Sequence, residues 1–158
     1  MKNEYRVKMA EYKISKSPDV LKTVGLGSCV GVAIYDKYSK IGGLIHIMLP
    51  ENKGSSRLAK YADTGIPYMV KEMVEYGGMR SNFVAKIAGG AQMFKTASET
   101  SSMKIGQRNI RAVKEVLLSE NIDIIGEDVG KNYGRSISFF TEDGCLLVKS
   151  FKKGELTL

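Results

Sequence analysis

The sequence contains few of the residues that most often hold metals or form disulfides. Its 158 residues include two cysteines and one histidine, and Cys29 and Cys145 lack the C-x-x-C spacing of zinc and redox sites. We therefore expect two free thiols and neither a metal nor another cofactor. No stretch approaches the roughly 18 uninterrupted apolar residues of a membrane-spanning helix, and the polar beginning of the chain is unlike a signal peptide. These features predict a cytoplasmic protein that does not insert into membranes.

Acidic residues are outnumbered by basic ones, which gives a net charge of +7. A positive surplus is common in nucleic-acid-binding proteins. Here the basic residues are dispersed and are not interleaved with aromatics that could stack on bases. The densest group, Lys149, Lys152 and Lys153, is typical of a solvated segment. We therefore expect no nucleic-acid partner, and we interpret the basic surface as a means of steering the chain toward an acidic protein.

The hydrophobic pattern predicts one α+β domain over residues 1–158. With 43% hydrophobic residues, the chain can bury one core but is too short to divide comfortably into two domains. Short apolar runs predict strands over residues 30–35, 44–49, 83–88, 122–126, 135–140 and 145–151. Apolar stripes predict helices over about 66–76, with Pro67 in the first turn and Gly77 at the end, and over about 106–120. We expect strands to predominate.

Cys29 is the first candidate for chemistry, because it follows a glycine-rich turn and precedes an apolar strand. Such a turn can expose a side chain and several backbone N–H groups to one point, which suits a nucleophile. Taken alone this is weak support, because a cysteine at the start of a strand is usually a small buried hydrophobe. The turn lacks the lysine and the spacing of a P-loop, so phosphate binding is not supported.

The only histidine, His46, stands in the apolar run of residues 44–49, where another apolar residue would be expected. A lone histidine in an apolar strand is more often a satisfied core residue than a catalytic one. Its strand and the predicted strand 30–35 are joined by a polar stretch, which makes them a hairpin candidate. This hairpin would bring His46 toward Cys29.

The register of the hairpin decides whether Cys29 and His46 meet. A turn of two residues, 37–38, or of four, 36–39, pairs residues whose numbers add to 75 and places Cys29 opposite His46. Pairs adding to 73 or 77 keep both on one face at a diagonal, and an even sum separates them. In contact with the thiol, the imidazole could take its proton and give a thiolate that is nucleophilic at neutral pH.

A third group should orient the second ring nitrogen of His46. The sequence offers Thr23, Asp63 and Asn109, and its pattern does not choose among them. A threonine in a strand is usually a good strand former, and Asp63 is equally explained as a cap near the first helix.

Six motifs, in this order, resemble the CheD family of chemoreceptor glutamine deamidases. They are TVGLGSCV at residues 23–30, GLIHIMLP at 43–50, YAD at 61–63, GGAQMF at 89–94, IGQRN at 105–109 and GR at 134–135. The resemblance covers most of the chain, and its motifs are specific. It implies that Cys29 and His46 are catalytic and that Thr23, rather than Asp63, is the third member.

The resemblance also implies a fold, a reaction and partners. The implied fold is a mixed β-sandwich flanked by helices, similar to the catalytic domain of the cytotoxic necrotizing toxins. The implied reaction, part of chemotaxis adaptation, converts glutamine side chains of bacterial chemoreceptors to glutamate and releases ammonia through a cysteine thioester. The receptors and the phosphatase CheC are the implied partners. One departure is Lys131 after Gly130, where the family often has a second glycine, so the detail of the 128–135 loop is not carried over.

The alternative hypothesis to an enzyme is a binding module without turnover that docks on CheC or on chemoreceptors. Residues 89–94 or the helix around 105–110 would then carry the docking surface, and Cys29 and His46 would have no chemical role. Fast alkylation of Cys29 near neutral pH would separate an activated thiolate from an ordinary thiol.

Overall fold

The computed structural model describes residues 1–93 and 104–158, so Phe94, the last residue of the motif at 89–94, lies outside the described residues. The strands are β1 (Glu4–Arg6), β2 (Tyr12–Lys16), β3 (Val20–Leu26), β4 (Val30–Asp36), β5 (Ile41–Ile47), β6 (Phe83–Gly89), β7 (Asp123–Val129), β8 (Arg135–Phe140), β9 (Leu146–Ser150) and β10 (Gly154–Thr157). The helices are α1 (Ala62–Tyr76) and α2 (Ile105–Ser119), and short 3-10 helices cover Leu58–Lys60 and Arg80–Asn82.

The strands form two five-stranded sheets of mixed direction. Sheet A has the order β1-β3-β8-β9-β10, with β1 parallel to β3. Sheet B has the order β2-β5-β4-β6-β7, with β6 parallel to β7. The two sheets pack face to face, because Leu44 of sheet B and Phe139 of sheet A belong to one buried cluster. The expected α+β class and mixed sandwich are confirmed, and the similarity to the toxin domain stays a prediction.

Both helices cover the outer face of sheet B. Side chains alternate along a strand, so Val32 of β4 joins the core on the helix side while Ala33 joins the core between the sheets. Met69 of α1 and Val113 of α2 are fully buried on the helix side. The molecule therefore has three layers, namely helices, sheet B and sheet A.

Both predicted helices are confirmed, with one correction. Helix α1 begins four residues before the predicted start, so Pro67 lies inside the helix and not in its first turn. Gly77 ends α1 with a φ of 127°, a conformation that glycine adopts without steric conflict. No helix in the described ranges is both long enough and apolar enough to cross a bilayer.

The six predicted strands are confirmed as β4 to β9, with bounds that differ by up to three residues. The sequence pattern does not predict β1, β2, β3 and β10. In β3 the pairing is irregular between Thr23 and Leu26, and Gly25 has a φ of 74°, so the alternation of side chains is interrupted. This omission matters because β3 carries Thr23.

Of the registers weighed for the β4–β5 hairpin, the sum of 75 is wrong and the sum of 77 is observed. Gly31 lies opposite His46, and Val30 opposite Ile47, so the numbers of opposed residues add to 77 and not to 75. Cys29 therefore does not oppose His46 directly. The pair has the diagonal relation that a sum of 77 predicts.

The turn between the strands explains this register. Four residues after Asp36 form the loop, and Lys40 closes it with a φ of 55° and an N–H donated to the Asp36 C=O at 2.7 Å. The Asp36 carboxylate also accepts the N–H groups of Tyr38 and Ser39, at 2.9 and 3.2 Å. Because an aspartate can close its own turn in this way, the loop covers residues 37–40 and not 37–38 or 36–39.

Candidate active site

The loop formed by residues 27–29 is held by the chain that follows β6. The N–H groups of Gly90 and Ala91 donate to the C=O groups of Cys29 and Gly27, each at 2.8 Å. These two bonds fix the backbone on both sides of Ser28, immediately before β4. The GGA part of the motif at 89–94 thus serves to anchor the 27–29 loop.

Gly89 permits this close approach. Its φ is 115°, and a Cβ at this position would lie 2.2 Å from the carbonyl oxygen of Cys29. A side chain would therefore collide with the backbone that carries the thiol, and it would also have to adopt a conformation that favours glycine. The identity of residue 89 follows directly from the position of Cys29.

His46 lies between the sheets, where it meets Thr23. Both side chains are fully buried. Nδ1 of His46 is 2.7 Å from Oγ1 of Thr23, and the same oxygen donates a hydrogen bond of 2.6 Å to the C=O of Val7. Through these contacts, sheet A orients a ring that belongs to sheet B.

The contacts also select the tautomer of His46. A hydroxyl has one hydrogen to donate, and the Thr23 hydrogen is directed to the Val7 carbonyl, which can only accept. Oγ1 must then accept the Nδ1–H of His46, so the neutral ring keeps a lone pair on Nε2. Nε2 is buried, and no other group within residues 1–93 and 104–158 bonds to it. The ring is thus oriented as a proton acceptor.

Cys29 lies on the same face of sheet B as His46. It stands two residues before Gly31, which pairs with His46, and residues two apart share a face. The Cys29 side chain is half-buried and packs against the core between the sheets. Diagonal neighbours of this kind are about 7–8 Å apart, within reach of a ring. The structure therefore brings Thr23 and His46 into contact and places Cys29 on the same face of sheet B.

Burial favours the neutral form of both reacting groups. It lowers the pKa of His46 from 6.5 to about 4 and raises the pKa of the Cys29 thiol above its ordinary value, because each charged form loses hydration. A standing thiolate–imidazolium pair is therefore disfavoured near neutral pH. The arrangement suits a neutral His46 that takes the thiol proton as the sulfur attacks.

The 27–29 loop also offers backbone donors. Among the described residues, none accepts a hydrogen bond from the N–H of Ser28 or of Cys29. Free N–H groups at a turn can stabilise an oxygen that gains negative charge. The loop thus combines a thiol with donors for an oxyanion.

The other two candidate partners of His46 lie elsewhere. Asp63 is in the first turn of α1, where it accepts a backbone N–H of the preceding loop at 2.9 Å. Asn109 of α2 donates from Nδ2 to the C=O groups of Ser28 and Met48, both at 2.9 Å. Of the three candidates, Thr23 is the one bonded to the ring.

Sequence reasoning misses the Val7 carbonyl, and it names Asn109 without finding the hydrogen-bond partners of its side chain. The Val7 carbonyl is a backbone group, and because every residue has one, the residue type does not indicate its role. Asn109 does give a signal, because it stands four residues before Val113 on the buried face of α2. A polar side chain at such a position needs hydrogen-bond partners, but the sequence does not say which.

Cys145 takes no part in this arrangement. It is a free thiol, like Cys29, and precedes β9, where its N–H donates to the Asp143 carboxylate at 3.0 Å. In the described part of the chain, no group of three or more His, Cys, Asp and Glu side chains is placed to hold a metal ion.

The protein has an open surface cavity of about 750 Å³. Gly25, Met93 and Arg135 contribute to its lining. Met93 also packs on the loop itself, since a Cβ on Gly27 would lie 3.2 Å from its Cγ. Met93 therefore connects the lining of this cavity with the 27–29 loop.

A thiol, an oriented imidazole and backbone donors that bond to no other described residue are the groups that a cysteine-dependent acyl-transfer site requires. A family model described as CheD chemotactic sensory transduction matches residues 48–150. Proteins named probable chemoreceptor glutamine deamidase CheD are similar over nearly the whole chain. One from Caldanaerobacter subterraneus is 51% identical over 152 residues, covering 94% of each chain. One from Archaeoglobus fulgidus is 45% identical over 157 residues, covering 99% of each. The chain belongs to the CheD family.

Proposed function

We propose that this protein is a chemoreceptor glutamine deamidase, which hydrolyses the side-chain carboxamide of receptor glutamines to glutamate. Membership of the CheD family supports the reaction and the substrate. The observation that carries the catalytic assignment is the hydrogen bond between Thr23 and His46, which leaves Nε2 free on the face of sheet B that carries Cys29. Cys29 is the nucleophile, His46 the base and Thr23 the group that orients it.

The first half of the reaction forms a thioester. Nε2 of His46 takes the Cys29 proton while the sulfur attacks the carboxamide carbon, so a C–S bond forms and the C=O π bond breaks. The oxygen becomes an oxyanion, which the free N–H groups of the 27–29 loop stabilise. His46 then gives its proton to the nitrogen, the C=O π bond re-forms as the C–N bond breaks, and ammonia leaves.

The second half restores the enzyme. Neutral His46 takes a proton from water, whose oxygen attacks the thioester carbon, and the C–S bond breaks. The sulfur regains a proton and the product is a glutamate side chain. Each turnover replaces a neutral amide by a negative carboxylate, so it changes the charge of the receptor surface.

Thr23 acts on the base and not on the substrate. By accepting the Nδ1–H it holds the tautomer in which Nε2 can receive a proton. It also keeps its partner when the ring is protonated, because Nδ1 remains a donor in both states. The hydroxyl therefore supports His46 throughout the cycle.

The deamidase is tested by mass spectrometry of a purified chemoreceptor cytoplasmic fragment after incubation with the protein. We expect glutamine-to-glutamate conversion with an equal amount of ammonia by the wild type, and its loss with His46→Ala. Tight binding of the fragment without any conversion would contradict the proposal and support the binding module.

The partners and setting of the enzyme follow from the family resemblance. We propose that residues 1–158 act as one deamidase domain in the cytoplasm and bind the phosphatase CheC. Size-exclusion chromatography of the protein mixed with purified CheC tests the partner, and two separate peaks at micromolar concentrations would contradict it.

A further inference from the structure

We propose that Asn109 is a positioning residue for the oxyanion site. Its side-chain amide fixes the peptide unit between Ser28 and Cys29. The N–H of that unit donates a hydrogen bond to the negatively charged oxygen of the tetrahedral intermediate. The chemical part of this inference rests on the proposed deamidase function. Its geometric part rests on contacts between α2 and the 27–29 loop.

Asn109 is a polar residue facing an apolar core. Its side chain is fully buried, and Val113, one turn further along α2, belongs to the core between the helices and sheet B. A buried amide destabilises a fold unless it is hydrogen-bonded. Here Nδ2 uses both of its hydrogens, one for the C=O of Ser28 and one for the C=O of Met48.

The acceptors fix the orientation of this amide. Both are carbonyl oxygens, and an amide turned by 180° would place Oδ1 against two other acceptors. In the observed orientation Oδ1 is buried and has no partner among the described residues. The fold thus leaves one acceptor, Oδ1, unsatisfied and keeps the two hydrogen bonds from Nδ2. An apolar side chain of the same size could make neither of these two bonds.

The bond to Ser28 controls the N–H of Cys29, because both groups belong to one peptide unit. A trans peptide is planar, and its C=O and N–H point in opposite directions. With the Ser28 oxygen held by Asn109, the Cys29 N–H is directed to the opposite side, where no described residue accepts it. The carbonyls before and after this unit are held by Ala91 and Gly90, so the amide of Asn109 completes the restraint of the loop.

The bond to Met48 connects the same amide to the strand of the base. Met48 stands two residues after His46, just beyond the end of β5. One side chain therefore ties the peptide before Cys29 to the backbone that carries His46. Loss of this amide removes this one connection, while the bonds from Gly90 and Ala91 still hold the loop.

The test compares Asn109→Leu and Asn109→Asp with Val113→Ala, a variant on the same helix whose side chain belongs to the core between the helices and sheet B. We expect both Asn109 variants to lower kcat for deamidation by at least about 10-fold, as loss of an oxyanion donor does, with KM changed less than about threefold. Val113→Ala should lower the melting temperature and keep kcat within about threefold, because it leaves the 27–29 loop in place.

Two reagents distinguish an effect on the oxyanion site from an effect on the reactivity of the thiol. A peptide whose glutamine side-chain amide is replaced by an aldehyde adds the Cys29 S–H across its C=O, which gives a thiohemiacetal whose oxygen occupies the oxyanion site. Iodoacetamide alkylates the same sulfur by displacing iodide and forms no oxyanion. Asn109→Leu should weaken aldehyde binding by at least about 10-fold and change the alkylation rate less than about threefold.

Retention of both kcat and aldehyde affinity in Asn109→Leu would overturn this role. A fall in the alkylation rate as large as the loss of aldehyde affinity would also overturn it, since that outcome indicates a collapsed loop and not a misdirected N–H. Neither reagent requires a receptor. Failure of the proposed deamidase function would appear separately, as absence of ammonia release by the wild type, and the aldehyde and alkylation data would still decide the role of Asn109.

Discussion

Oγ1 of Thr23 in sheet A lies 2.7 Å from Nδ1 of His46 in sheet B. This contact crosses the core between the sheets, so the base is oriented by the packing of the sandwich and not by its own hairpin. Because the hydroxyl hydrogen is already directed to the Val7 carbonyl, the relation has a defined direction, in which the ring donates and Thr23 accepts.

Removing this acceptor should impair catalysis more than folding. Thr23→Val keeps the size of the side chain but leaves the Val7 carbonyl and the His46 Nδ1–H without a partner, which costs about 1–3 kcal/mol for each buried group. We expect kcat to fall by at least about 10-fold, because the tautomer with a free Nε2 is no longer favoured. Thr23→Ser restores the hydroxyl and should recover most of kcat. Equal activity of the two variants would show that the hydroxyl does not orient the base.

His46 should remain neutral far below its ordinary pKa. Burial lowers its pKa to about 4 in the folded protein, against 6.5 when it is exposed. Because this is the only histidine, NMR of the wild type shows a single imidazole. We expect its signal to complete only about a tenth of its titration between pH 8 and pH 5, and a midpoint near pH 6.5 would contradict the buried environment.

The same difference makes stability depend on pH. As the pH falls below 6.5, the unfolded chain binds a proton at His46 and the folded chain does not until about pH 4, so stability is lost across this window. The contribution is on the order of 3 kcal/mol. Denaturation of the wild type and of His46→Gln at several pH values isolates it. The wild type should lose stability relative to the variant as the pH falls, and parallel curves would contradict this.

The sequence predicts the central strands and both helices because their apolar patterns are regular, as in β4 and α2. It does not predict β3, since Gly25 and the irregular pairing after Thr23 break the alternation of side chains. In the β4–β5 hairpin the numbers of opposed residues add to 77 and not to 75, because the Asp36 carboxylate binds the N–H groups of its own turn. Such closure depends on a side-chain rotamer, which residue type alone does not determine.

The candidate site is predictable where a residue type is rare. One histidine and one cysteine beside a glycine-rich turn indicate Cys29 and His46, and the family resemblance indicates Thr23. The backbone groups of the site are not predictable in this way. The Val7 carbonyl and the N–H groups of the 27–29 loop correspond to no pattern in the sequence. They become visible once the two sheets are placed against each other.

Gly89 should be intolerant of a side chain because of Cys29. In Gly89→Ala the new Cβ would meet the Cys29 carbonyl oxygen at 2.2 Å, so the 27–29 loop must move. The matched control is Gly130→Ala, where φ is also positive, at 79°, and where a Cβ would have no described atom within 4 Å. We expect Gly130→Ala to lower the free energy of unfolding by about 1–2 kcal/mol with kcat retained. Gly89→Ala should lower it further and also reduce kcat, and equal effects in both would exclude the steric explanation.

Lys131 occupies a backbone conformation that favours glycine, with a φ of 63°. Lys131→Gly relieves the steric conflict of a Cβ but adds freedom to the unfolded chain. We expect a net gain of up to about 1 kcal/mol in the free energy of unfolding, measured by urea denaturation, with unchanged deamidase activity. A loss of stability would mean that the lysine side chain contributes to the 128–135 loop.

The most direct test of the proposed mechanism is the rate of ammonia release from a chemoreceptor fragment by Cys29→Ala, measured beside Cys145→Ala. Both variants remove one free thiol, and equal melting temperatures would establish that both are folded. We expect Cys29→Ala to lose at least about 10³-fold in rate, as removal of a nucleophile does, and Cys145→Ala to stay within about twofold of the wild type. Ammonia release by Cys29→Ala at a rate close to that of the wild type would contradict the assignment of Cys29 as the nucleophile.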